Sequence, residues 1–542
     1  MRAGHRIEGP GAVIVPLTSG NAELGRDIYR GCFRMAGVEI DGHGSALFDG
    51  TGGHPDWQEI LHGFGWLEHL RATGRELGRV HARALISDWI GRKHRHHSPA
   101  LTSAVMARRL MSWIHHLPFY LEGAGDNFSR LLFRSMTRQV RVLQYRTAFH
   151  RRSAARLPMM LAVCHASVGL RGLEQLREQN LGAMADLLVK SLYADGGHIS
   201  RNPAELAGLL LDLLPLRKTC EEAGIQLPAK LHAAIERMLP MLRFFTHGDG
   251  GIAMFQGSGD PLADSCCAIF SADPVAGRPV THASHSGYAR LAAGALTTIV
   301  DAGLPAPDTV NRRAALSPLA FEFSDHGNRV VINCGSPQFA TREGLIAARL
   351  PEAHSTATLN AAPATSSRSM ATWLSGWGRA VSWSPRQVEA RIETSPVGVL
   401  FEGRHDAYLA STGYLHARSL FLSAKGNDLR GEDHFQRRST GADVPATIRF
   451  HLHPAVKATM SKDGQSIMLL LPSKAGWRFS VRGAELSLED SISFGSEGRH
   501  RTTVQIVLRC STGTAERVHW AFKRIERRQA AQRSLEAPEL PL

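Results

Sequence analysis

Three stretches gather side chains that could do acid–base or ligand chemistry. The first is DGGHISRNPAELAGLLLDLLPL, residues 195–216, where a Gly-Gly turn is followed by His198, Arg201 and Asn202. Histidine can exchange a proton near neutral pH, and an asparagine amide can both donate and accept. A polar turn carried on a buried helix is a place for chemistry. It is also an ordinary helix entry: Asn202 can cap, Pro203 sits where its missing N–H costs nothing, and Glu205 can close a capping box. The second stretch is THGDGG, residues 246–251, with His247 and Asp249 on a Gly-rich turn. Such a histidine can reach into a cleft or bond backbone amides. The third, HARSLFLSAKGNDLRGEDHF (416–435), holds His416, Arg418, Glu432 and Asp433. His416 and Arg418 share a face if the strand is regular. A ligand contact and a structural ion-pair network both fit that set.

The elements that must position these groups change character near residue 280. Before it, apolar residues recur at helical spacing over 57–70, 77–90, 100–116, 127–149, 173–192, 203–223 and 229–245, a helical-hairpin pattern. The leucines of 206–214 cover more than one stripe, so that helix is expected to be buried on several sides. Residues 247–287 read as a Gly-rich, loop-like connection. After it come short strand-like runs at 329–334, 397–402, 447–453, 466–471, 477–481 and 503–509. Within 447–453, Ile448, Phe450 and Leu452 alternate with Arg449, His451 and His453. Short strands at this spacing indicate an antiparallel sandwich. Residues 526–542 read as a frayed, charged tail.

At 542 residues the chain calls for more than one core, and its 43% hydrophobic content is that of a folded protein. No apolar run is long enough for a membrane-spanning helix, and the N-terminal apolar stretch is too short for a signal peptide, so a cytoplasmic location is expected. The seven cysteines lack C-x-x-C spacing and are expected to be reduced. Lys+Arg 63 against Asp+Glu 49 leaves a net +14, which favours a polyanionic partner. With no zinc-finger spacing and no RNP-like motif, nucleic acid is set aside. Nine arginines and no acidic residue lie between residues 127 and 172, and Arg130, Arg134, Arg138 and Arg141 share one helical face. That row is either a solvated face or a guanidinium ladder for an anionic polymer.

Several strings occur together in an order that resembles the heparinase II/III-like family: RRLMSWIHHLPFYL (108–121), DGGHISRNP (195–203), LRFFTHGDGGIAMFQGSG (242–259), HSGYARLAAG (285–294), LAFEFS (319–324), VVINCG (330–335), AHSTATLN (353–360) and FHLHP (450–454). The resemblance implies an N-terminal incomplete (α/α) toroid over 1–280 and an antiparallel β-sandwich over 281–525, with a cleft between them. It implies a polysaccharide lyase acting on a uronate-containing acidic polysaccharide by β-elimination, without a cofactor. Such chemistry needs a group that neutralises the uronate carboxylate, a base for the C5 proton and an acid for the leaving oxygen. His198, Asn202, His247 and His354 are the catalytic candidates on this basis, and Arg201, Asp249, His416 and Arg418 the candidate sugar contacts. The pattern also departs from characterised lyases. Ser200 stands where an acidic residue is usual, and Glu205-Leu206 replaces a Tyr-His pair. A His-x-His-x-Asp set that supplies zinc ligands in many relatives aligns with Arg313, Ala315 and Ser317, so no metal site of that type is expected. Those departures keep two further readings open: a diverged, non-catalytic polysaccharide-binding envelope protein, and a glycoside hydrolase. By the resemblance, a periplasmic location stands beside the cytoplasmic one.

Overall fold

The computed structural model describes residues 6–525 except 36–37, 42–46, 49–54, 75, 93–97, 150–155, 260–261, 275–278, 308, 312, 338–341, 360–384, 440–441 and 495–499. The tail expected over 526–542 lies outside the described residues.

Helices fill the chain up to Ala272, and strands dominate from His282 onward. The expected helices appear at Glu76–Gly91, Ser103–His115, Asp126–Phe149, Arg177–Lys190, Pro203–Glu222 and Ala229–Phe245. The single helix expected over 57–70 is two, Pro55–Gly63 and Leu67–Ala72. The break falls at Phe64, whose φ of 57° is incompatible with a continuing right-handed helix. The region expected as a plain connection, 247–287, carries the helix Ala263–Ala272. A further helix, Arg156–Gly169, is buried at every residue from Met159 to Gly169. It sits at the middle of the helical core, where an apolar surface all round leaves no stripe to read.

The β part is two antiparallel sheets. One runs Glu485–Phe494, His500–Ser511, Pro445–Leu452, Asn328–Ile332, Phe321–Asp325, Leu296–Asp301, Tyr288–Ala293 and His282–Ala283, with Ala357–Leu359 added beside Pro445–Leu452. The other runs Val388–Ser395, Gly398–His405, Tyr414–Ser423, Asp428–Arg437, Arg517–Arg524, Gly476–Arg482, Ser466–Leu470 and Lys457–Met460. Their inner faces meet through rings: Phe321 of the first sheet stacks on Trp520 of the second at 5.6 Å, and Phe450 lies 4.8 Å from Trp520. The expected alternation of 447–453 is present, yet His451 is buried as well as Ile448, Phe450 and Leu452. The strand is central in its sheet, and residues 352–355 and Ser491 cover its second face. Two hydrophobic cores result, one helical and one within the sandwich.

Candidate functional site

The turn Asp195–Asn202 lies where the two cores meet. Asn202 is the N-cap of Pro203–Glu222: its Oδ1 accepts from the Ala204 amide at 2.8 Å. The expected capping box is replaced by a different bond, because the Asn202 amide donates to Ser200 Oγ at 3.3 Å. Arg201, at φ 57°, turns its side chain across the seam. Its Nε donates to the Ser286 carbonyl (2.7 Å), Nη1 to the Leu304 carbonyl (2.8 Å), and Nη2 to the Gly287 carbonyl and Asp301 (2.8 and 2.5 Å). The Tyr288 hydroxyl donates to the Arg201 carbonyl at 2.6 Å, under a guanidinium 4.5 Å from the ring centre. Asp195 accepts from the Ser286 amide and hydroxyl. The bonds of Arg201, and those of Asp195 to Ser286, fasten the helix region to the sandwich. Arg201, 4% exposed, has no nitrogen left for a sugar.

His198 is partly accessible. Its Nδ1 accepts from the Ser200 amide (3.2 Å) and faces the Ser200 hydroxyl (2.7 Å), which puts the ring proton on Nε2. Burial pushes its pKa down to about 4. His198 is therefore a neutral donor whose lone pair is occupied, suited to hydrogen-bonding an anion and not to taking a proton.

His247 is fully enclosed. Its Nδ1 meets Ser324 Oγ at 2.9 Å and its Nε2 meets Glu322 at 3.0 Å. Glu322 also accepts from the Met254 amide, the Asn333 amide and the Asn333 side chain. Burial lowers the His247 pKa even though Glu322 opposes it. Asp249 caps the Gly251 amide and pairs with Arg329 at 2.8 Å. The loop 246–251 is thus stitched to the strands Phe321–Asp325 and Asn328–Ile332, and the expected reach into a cleft is replaced by an intramolecular clasp. Gly248 allows that approach: a Cβ there would lie 1.8 Å from the His326 carbonyl.

His354 is 2% exposed. Its Nε2 lies 3.2 Å from the Ala348 carbonyl and so donates to it, and its Nδ1 is buried with no partner. Burial brings its pKa down to about 4. Asn333 connects it to His247, accepting from the Ser355 amide while donating to Glu322. His247 bonds the Glu322 carboxylate directly, and His354 stands next in the chain to Ser355, whose amide is tied to Glu322 through Asn333. His198 and Asn202 belong to a second polar layer, in which the Asn311 amide donates to the Ser200 and Gln256 carbonyls, and Gln256 donates to Asp301. No described hydrogen bond joins His198 to His247 or His354.

His416 and Arg418 lie elsewhere. Both are wholly buried between the sheets around Asp433, to which Trp520 also donates. Arg418 further donates to the Leu319 and Ser355 carbonyls, and His416 meets His405 at 3.0 Å. His416, Arg418 and Asp433 form a buried ion-pair network in the core, whereas Glu432 pairs with Arg517 and His519; the expected sugar contact is replaced by core packing. Arg313, Ala315 and Ser317 offer no zinc donor set: Ala315 contributes a backbone amide to Gln256, and Ser317 a lone buried hydroxyl.

The residues that sequence reasoning passed over are Gln256, Asp301, Asn311, Glu322, Ser324 and Asn333. The run LAFEFS carried a signal, since Glu322 and Ser324 stand two apart on one strand face and receive the two nitrogens of His247.

A family model described as "Heparinase II/III-like, C-terminal" matches residues 275–521. FtsZ-localized protein C of Caulobacter vibrioides (strain NA1000 / CB15N) is 31% identical over 489 residues, spanning 86% of this chain and 81% of that protein. Among solved structures, heparinase III superposes with a TM-score of 0.74 at 13% identity, covering 97% of this chain and 88% of the other. The heparan sulfate lyase HepC from Pedobacter heparinus gives 0.57 at 14% identity, covering 93% and 82%. These likenesses establish the architecture, a helical (α/α) region followed by antiparallel sheets. With the family model over its β part and a relative of this identity over most of its length, the chain belongs to the heparinase II/III-like family.

Proposed function

We propose that this chain is a diverged heparinase II/III-like protein that works by binding and not by β-elimination, and that FtsZ is its partner; the name of its Caulobacter relative states FtsZ localisation for that protein. The observation that carries the reading is the commitment of the candidate groups. A lyase base needs a lone pair within reach of a substrate proton. His198 Nδ1 is taken by Ser200, both nitrogens of His247 by Ser324 and Glu322, and the Arg201 guanidinium by the seam. The relative at 31% identity supports the partner. The expected cytoplasmic location goes with this reading. The test is co-sedimentation of the full chain with FtsZ polymers, alongside incubation with a panel of uronate polysaccharides. Binding to FtsZ with no unsaturated uronate formed is the expected result. Failure to sediment with FtsZ overturns the partner, and formation of unsaturated product overturns the non-catalytic role.

A second reading, a polysaccharide lyase acting on an acidic polysaccharide, is favoured by one observation: His354 keeps a free Nδ1 lone pair at the seam. It requires the seam to open around residues 351–355. Product formation that His354→Ala abolishes, with the fold retained, is its mark.

A further inference from the structure

The Ser103–His115 helix carries a charge that the sites above do not use. Arg109 is 0% exposed. Its Nε donates to Gln139 (2.9 Å) and its Nη1 to the His62 and Ala100 carbonyls (3.0 Å each). The guanidinium lies 4.0 Å over the Trp89 ring. All of these partners are neutral. Among the described residues no carboxylate pairs with it, and burial alone sets its pKa, down to about 9. Its Nη2 is buried with no acceptor.

A second unpaired donor stands one helical turn on. Trp113 Nε1 is buried without a partner, and Trp113 packs edge-on against the same Trp89 at 5.6 Å. Trp57, in the helix whose His62 carbonyl receives Arg109, has an unpaired buried Nε1 as well. The Trp89 indole differs, since it donates to His62 Nδ1 at 3.0 Å. An isolated buried cation is unfavourable unless something offsets it, and unpaired buried N–H groups are few in native proteins. Carbonyl dipoles and the ring face offset part of the charge. A full countercharge that accepts N–H bonds would offset the rest.

We propose that Arg109 Nη2 and Trp113 Nε1 hold a small monovalent anion of the halide type inside the helical core. A monovalent ion matches the single uncompensated charge, and the rings packed on this pair, Phe64 and Trp89, are buried, which suits a weakly hydrated anion. The site is independent of the seam and of any FtsZ binding.

The test follows thermal unfolding of the full chain while potassium chloride replaces potassium gluconate at constant ionic strength. The midpoint is expected to rise with chloride and to saturate, as binding to the folded state alone requires. Bromide is expected to quench the buried tryptophan fluorescence with the same saturable dependence. Arg109→Met should remove both responses. Trp113→Phe keeps the ring, removes the N–H, and should weaken the apparent halide affinity about tenfold. A wild-type midpoint indifferent to the exchange overturns the proposal, as does an Arg109→Met protein that keeps the chloride response. Should Arg109→Met not fold, an unchanged halide affinity in Trp113→Phe overturns it.

Discussion

Replacing Arg201 with Met tests whether the DGGHISRN turn is a fastening. Arg201 crosses from the helical region to four acceptors in the sandwich: Ser286, Gly287, Asp301 and Leu304. Methionine fills part of the volume and removes the charge. Asp301, 1% exposed, is then left with two neutral donors, the Gln256 side chain at 2.6 Å and the Gly303 amide at 3.4 Å. Stranding one member of a buried ion pair costs about 3–5 kcal/mol. The Gly287 carbonyl keeps the Ala302 amide at 2.9 Å, and Leu304 is 47% exposed, so water can reach its carbonyl. The Ser286 carbonyl loses its acceptor role, at about 1–3 kcal/mol. The sum is roughly 4–8 kcal/mol, a large fraction of the 5–15 kcal/mol typical of a folded protein. For cores of this size that corresponds to a fall of roughly 8–32 °C in the transition that contains the seam. Calorimetry of wild type, Arg201→Met, Asp301→Asn and the double variant measures it. The double-mutant cycle should show coupling of about 1 kcal/mol or more, because the two side chains share the buried bond. A loss under about 2 kcal/mol, or additive single effects, refutes the fastening argument.

Acid should destabilise the protein well above the carboxylate range. His198 and His354 are held at about 4 and His451 at about 3, in each case chiefly by burial. Between those values and the ordinary 6.5, the unfolded chain binds protons that the folded chain does not, so stability falls as pH falls. Each of the three costs about 1.4 kcal/mol at pH 5.5, roughly 4 kcal/mol together relative to neutral pH; a flat midpoint between pH 7.5 and 5.5 contradicts this. Arg418→Met removes the guanidinium from Asp433, leaving it His416 and Trp520, and should cost about 3–5 kcal/mol in urea unfolding while leaving polyanion binding unaltered. Charge reversal at Arg134 and Arg138, both exposed, should change stability by no more than about 0.5 kcal/mol, and should weaken retention on an anionic resin if the row is a polyanion ladder.

Much of the architecture was legible because it rests on periodicity. Ala229–Phe245 has the bounds that its apolar spacing gives, and Gly476–Arg482 reads from alternation. The Arg156–Gly169 helix lacked a polar face, and the break at Phe64 depends on one left-handed residue, so neither had a periodic signal. The site was less legible for a different reason. Residue type announces that a histidine can take a proton, whereas its neighbours decide whether it is free to. Ser200 follows His198 by two residues, and its hydroxyl and amide occupy the ring nitrogen; that bond was readable only as a turn. Ser324 and Glu322 lie 77 and 75 positions from His247, beyond any local pattern.

On the reading proposed above, the same seam shows how a fold can be kept while its chemistry changes. A cleft between a helical region and a sandwich must either be held open for substrate or be closed by its own side chains. Here Arg201, His247 and Asp249 each cross from the helical side to the sandwich and end on Asp301, Glu322 and Arg329. Every such crossing ties the two cores together, and every one commits a donor or a lone pair to an intramolecular partner. Ser200 completes the exchange: an acidic residue at that position would meet the His198 nitrogen as a charge, whereas serine offers it a neutral hydroxyl and leaves the imidazole uncharged. A chain with these contacts gains a rigid junction and, on the binding reading proposed above, gives up general base catalysis at the same atoms. His354, with one nitrogen still unpaired, is the position where that exchange is incomplete.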